Sequence, residues 1–78
     1  MHEEQPPIEV DARGRLCPEP VLMARAALDG VSAGETIKLL ATDPHAALDV
    51  EVFCARSGHV LEQSEEQKGT WIFWIRKS

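Results

Sequence analysis

Two prolines, Pro18 and Pro44, each open a run of helix-forming residues, and each run follows a strand-like apolar pattern. Proline at the first helical position loses nothing, because its missing N–H would have no intrahelical partner there. The chain must therefore alternate strand and helix. Ile8, Val10 and Ala12 alternate with Glu9 and Asp11, the period-2 signature of a strand with one buried face. After Arg13-Gly14-Arg15 breaks that pattern, Glu19 to Asp29 reads as a helix with Val21, Ala24 and Leu28 on one stripe and Gly30 as its stop.

Ser32 to Glu35 reads as a turn and Thr36 to Ala41 as the second strand. Asp43 is placed to cap a second helix beginning at Pro44, running to about Arg56 and ending at Gly58. His59 to Glu65 is expected to form a third strand, Glu66 to Gly69 a hairpin turn and Thr70 to Arg76 a fourth strand. The order βαβαββ defines an α/β (α+β) two-layer sandwich: a four-stranded mixed sheet with two helices packed on one face. Residues 1–6 read as a polar N-terminal tail and 7–78 as a single domain. In the fourth strand Trp71, Phe73 and Ile75 fall on one face and Ile72 and Trp74 on the other, so the open face carries a large aromatic residue of its own.

With 78 residues the chain has room for one domain and none for an internal substrate cavity. Its net charge of −5 opposes the electrostatic attraction on which nucleic-acid affinity rests, so no direct nucleic-acid partner is expected. No apolar run reaches membrane-spanning length, and the acidic, polar start does not resemble a secretory signal. Two cysteines are too few for a disulfide scaffold. These features together point to a cytoplasmic protein with reduced thiols, and the small charged surface to a monomer that docks transiently.

Cys17-Pro18-Glu19-Pro20 is the densest local signal. With Pro18 at the first helical position, Cys17 is expected at the N-cap, where the positive helix end favours a thiolate. Pro20 removes one backbone donor and the Glu19 carboxylate opposes the thiolate, while Arg13 and Arg15 support it. Residues 11–28 carry a net +1, from Arg13, Arg15 and Arg25 against Asp11 and Glu19, which leaves −6 for the rest. A moderately activated, accessible cysteine suits the acceptance and release of a sulfur atom. A dithiol oxidoreductase fits less well, because Cys54 sits on the other helix between Phe53 and Ala55 and reads as a small core hydrophobe.

Asp11-Ala12-Arg13-Gly14 followed by Cys17-Pro18-Glu19-Pro20-Val21-Leu22 resembles the TusA/SirA family of sulfur carriers, whose mark is a CPxP motif at the first helix. Ala33-Gly34-Glu35, Asp43-Pro44, Phe53-Cys54 and Ile75-Arg76-Lys77 agree with it, so the resemblance spans residues 8 to 77. Many members place Leu directly after the glycine, whereas here Arg15 stands there and Leu16 adjoins the cysteine. The resemblance implies a persulfide carrier. Cys17 would accept a sulfane sulfur from a cysteine desulfurase or a rhodanese-type donor and pass it to a downstream acceptor protein. The relays it implies are tRNA thiolation, molybdenum cofactor maturation and sulfur oxidation. Pro18, Glu19 and Pro20 would shape the helix start, and Arg13, Arg15 and Arg25 would meet partners.

No cofactor is expected, and no metal: His2, His45 and His59 match no ligand spacing. The competing function is a regulatory binding module that uses the open sheet face around Ile72 and Trp74 and needs no sulfur chemistry.

Overall fold

A computed structural model describes residues 6–78, so the expected tail at 1–6 lies, but for its last residue, outside the described residues. The element order is β1 (Ile8–Ala12), α1 (Glu19–Asp29), β2 (Thr36–Ala41), α2 (Ala46–Ser57), β3 (Val60–Gln67) and β4 (Thr70–Arg76). The four strands form one sheet in the order β1-β2-β4-β3. β1 and β2 run parallel, joined through α1, and the other two pairings are antiparallel. The sheet is mixed, as the sequence pattern implies.

Both helices pack on the same sheet face, α1 over β1 and β2, α2 over β3 and β4. Period-2 alternation decides which strand residues meet them. Ile37 lies opposite Ile75 and Leu39 opposite Phe73, and all four are fully buried with Leu28 of α1 and Val50 of α2. Burying each such side chain contributes about 1.5–3 kcal/mol. Cys54 is buried in the same cluster.

Three boundaries differ from the sequence expectation. α2 begins at Ala46 with His45 at its N-cap position, because Asp43 and Pro44 form a turn in which the Ala46 amide donates to the Asp43 carbonyl at 3.0 Å. β3 starts at Val60 and extends to Gln67, leaving a two-residue hairpin at Lys68-Gly69, both with positive φ as such a tight turn requires. The register of β3 against β4 shifts between Leu61 and Gln63, a bulge at Glu62 that no sequence pattern announced.

The open sheet face carries Leu40 opposite Ile72, and Lys38 opposite Trp74. The Lys38 ammonium lies 5.9 Å from the centre of the Trp74 ring and 3.6 Å from a Glu9 carboxylate oxygen. Trp74 is thereby half-buried by a neighbouring strand.

Candidate functional site

Parallel pairing of β1 with β2 brings their C-terminal ends side by side, and so brings together the loops that lead into α1 and α2. Two hydrogen bonds join those loops. The Gly14 amide donates to Thr42 Oγ1 at 2.9 Å, and the Cys17 amide donates to Asp43 Oδ2. Gly14 holds φ +79°, a left-handed conformation that a side chain disfavours, and this turns the chain toward Thr42. Asp43 is almost fully buried. Its other oxygen accepts from the His45 amide at 2.9 Å and lies 3.2 Å from His45 Nδ1. Bonds from the His45 and Cys17 amides hold the Asp43 carboxyl below its ordinary pKa.

The Cys17 side chain is exposed. The expected N-cap role is corrected by the structure: Pro18 occupies the N-cap position, α1 begins at Glu19, and Pro20 is at its second residue. The first helical carbonyl to be used is that of Pro18, which accepts from the Leu22 amide at 3.2 Å. Cys17 therefore lies one residue outside the helix. Asp49, in the first turn of α2, lines the same groove as the thiol. The Asp49 carboxylate, as an acceptor for the S–H, comes first in raising the thiol pKa, then partial desolvation, then the charges of Asp49 and Asp43. The expected activation is thus reversed: the net +1 along residues 11–28 is outweighed by two aspartates that only the fold brings near.

Cys17 lines an open groove of about 570 Å³ between α1 and α2. Pro18 and Val21 line it from one side and Leu48, Val52 and Phe53 from the other, and Leu48 is 63% exposed. Arg25 lines this groove, but Arg13 and Arg15 do not. The Arg13 guanidinium pairs with Asp11 at 2.8 Å, and this hydrogen-bonded pair holds the Asp11 carboxyl near a pKa of about 2. Arg15 lies 3.9 Å from Glu19, on the outer flank of α1. Pro20 is buried and Pro18 exposed, so the two prolines divide their work between anchoring α1 and bordering the cysteine. Leu16, displaced by one position from the family habit, is 73% exposed beside Cys17. Cys54 is 7% exposed, and burial pushes its thiol pKa up.

Sequence reasoning missed Asp49 and the reach of Asp43 to Cys17. The available signal was the pair of proline-led helix starts, 26 residues apart, which parallel neighbouring strands must place side by side. Among the described residues no cluster of three or more His, Cys, Asp or Glu side chains could hold a metal ion. Nor is any described helix long and apolar enough to cross a membrane.

A small two-layer sandwich that displays one exposed cysteine at a proline-braced helix start has the form of a carrier. The family model for sulfurtransferase TusA matches residues 8–77. The sulfur carrier protein TusA of Pseudomonas putida (strain GB-1) is 42% identical over 77 residues, covering 99% of this chain and 96% of that protein. The protein of the same name from Pseudomonas fluorescens is 39% identical over 79 residues, covering 99% and 95%. The crystal structure of a SirA-like protein from Desulfitobacterium hafniense superposes with a TM-score of 0.78 at 27% identity, covering 88% of this chain and 95% of that one. This chain belongs to the TusA family, and its function is that of a carrier in a sulfur relay. These relatives lend no support to a binding module without sulfur chemistry.

Proposed function

We propose that the relayed sulfur rides on Cys17 as a persulfide. The observation that carries this reading is the contrast between the two thiols: Cys17 is exposed and lines a groove, and Cys54 is buried in the core. In loading, the Cys17 sulfur attacks the outer sulfur of a donor persulfide, a new S–S bond forms as the donor's breaks, and the donor leaves as a thiol after taking up the Cys17 proton. Delivery reverses the roles. The acceptor thiolate takes the outer sulfur, and Cys17 leaves with the electron pair of the broken bond.

The donor is a cysteine desulfurase or a rhodanese-type protein and the acceptor the next protein thiol of the relay, whose product is a thiolated tRNA, a molybdenum cofactor or oxidised sulfur. The compartment is the cytoplasm, where reducing conditions keep the unloaded cysteine as a thiol. The carrier acts as a monomer. Pro18, Glu19 and Pro20 set the direction in which the sulfur projects, and Arg25, which lines the same groove as Cys17, meets the partner, with Arg13 and Arg15 on the flank.

The test is intact mass after incubation of the reduced protein with a cysteine desulfurase and cysteine, or with a rhodanese and thiosulfate. A gain of one sulfur atom, removed by reductant and absent in Cys17→Ser, is expected. Absence of any adduct with both donors would refute the reading.

A further inference from the structure

From Arg13 to Glu19 no side chain is buried, although the residues that bound this segment, Ala12 and Pro20, both are. Packing therefore fixes the two ends of the cysteine loop and leaves the stretch between them, Cys17 included, without an apolar anchor. The loop after β2 is built the other way: Ala41, Asp43 and Ala46 are buried, so its position follows from the core. The Gly14 amide bonded to Thr42 Oγ1 and the Cys17 amide bonded to Asp43 Oδ2 run from the unanchored loop to the anchored one. Among the described residues the other amide bonds of the cysteine loop stay local: Arg13 donates to Asp11, Arg15 to Ala12 and Glu19 to Leu16.

We propose that Thr42 and Asp43 are positioning residues for sulfur transfer: they hold the cysteine loop by its backbone and so set where the Cys17 sulfur stands relative to a partner's persulfide. The proposal rests on the persulfide reading of Cys17 and assigns the geometry of that reaction to two side chains that act through the main chain. In loading, one S–S bond opens as another forms and the donor thiol leaves with the Cys17 proton, so the three sulfur atoms must come into line. A displacement of about 1 Å costs such a step on the order of a hundredfold. Asp43 suits the task because a carboxylate offers two acceptor oxygens. One takes the Cys17 amide and the other the His45 amide at 2.9 Å, so a single buried side chain ties the cysteine to the start of α2. An asparagine has one acceptor oxygen and would turn its NH2 toward one of those donors. Thr42 is exposed, so its hydroxyl serves the tether and adds little to the core.

The experiment follows sulfur transfer from a persulfidated cysteine desulfurase to the carrier by intact mass, with the carrier concentration varied to separate kcat from KM. The native chain is compared with Thr42→Val, which keeps the shape and removes the acceptor, with Thr42→Ser, which keeps the hydroxyl, and with Asp43→Asn. Alkylation of the unloaded chains by iodoacetamide reports the reactivity of Cys17 itself. Thr42→Val should lower kcat roughly three- to tenfold, and leave KM and the alkylation rate within about twofold of native and the melting temperature within about two degrees. Thr42→Ser should transfer at the native rate. The Gly14 amide proton resonance should move upfield in Thr42→Val and return in Thr42→Ser. Asp43→Asn should lower kcat by more than about tenfold; if it does not fold, the Thr42 pair alone decides. A native kcat in Thr42→Val overturns the proposal, as does a loss that Thr42→Ser fails to restore, one confined to KM, or one that alkylation shares. Absence of loading in the native chain from any donor would overturn the persulfide reading and positioning with it, whereas native loading undiminished in Thr42→Val would overturn positioning alone.

Discussion

The Cys17 amide donates to the buried Asp43 carboxylate, so the loop that displays the carrier cysteine is fastened to the loop that opens the second helix. The fastening is ionic in character, because the acceptor is a charged oxygen held below its ordinary pKa by its two amide donors. Its contribution to stability follows from the sign of that shift. A carboxylate whose folded pKa is depressed stabilises the fold fully above its unfolded value, near 3.8, and ceases to do so as pH falls through the lower folded value. Asp43→Asn should therefore melt several degrees below the native chain at neutral pH, and the gap should close as the pH falls below the ordinary carboxylate range and through the depressed folded pKa. Thermal melts of the two chains across that range decide it; a constant gap would assign the effect to shape alone.

The two cysteines should separate cleanly. Cys17→Ser is expected to lose sulfur loading at unchanged thermal stability, since its side chain is exposed. Cys54→Ala is expected to load normally while losing about 1 kcal/mol of unfolding free energy, the cost of removing a small buried group from the core. Intact mass and denaturant titration of both variants make the comparison. Loss of loading in a folded Cys54→Ala protein would contradict the division of roles.

Among the arginines, Arg25 shares the groove with Cys17, whereas the Arg13 guanidinium is already paired with Asp11. Replacing Arg25 by Ala should slow sulfur transfer from a protein donor roughly two- to tenfold, mainly through slower association, with the effect shrinking at high salt. Arg13→Ala should leave transfer within about twofold of native and cost little stability, as exposed ion pairs do. Stopped transfer assays at two ionic strengths test both.

Leu16 gives a prediction of another kind. A leucine 73% exposed adds almost nothing to folding, so Leu16→Ser should shift stability by less than about 0.5 kcal/mol. Beside the sulfur-bearing atom, however, it offers apolar surface to a docking protein, and its loss should weaken donor binding measured by calorimetry while leaving alkylation of Cys17 unchanged.

Much of this was legible in the chain itself. Alternation at Ile8, Val10 and Ala12, the glycine stops at Gly30 and Gly58, and the proline-led starts placed the elements and their order to within a few residues, because each is a local signal with a local cause. What failed depended on contacts between distant residues. The N-cap reading of Cys17 took Pro18 as the first helical residue, and no one-dimensional pattern shows that the chain turns once more before the helix closes. The activated thiol was inferred from charges near in sequence, Arg13 and Arg15, which the fold commits to Asp11 and Glu19. The charges that act on Cys17 arrive instead from the first turn of the second helix, at Asp49, and from the loop before it, at Asp43.

β1 is a five-residue strand at the edge of the sheet, and among the described residues it is paired along one side, with β2. Edge strands open locally at a fraction of the free energy of global unfolding. When β1 frays, the Gly14 and Cys17 tethers to the second loop are lost together, although α2 and the β3–β4 hairpin can stay intact. The presentation of the cysteine is therefore less durable than the domain that carries it. Amide exchange at Cys17 should report the lifetime of the competent carrier, a shorter time than any measured by melting the whole molecule.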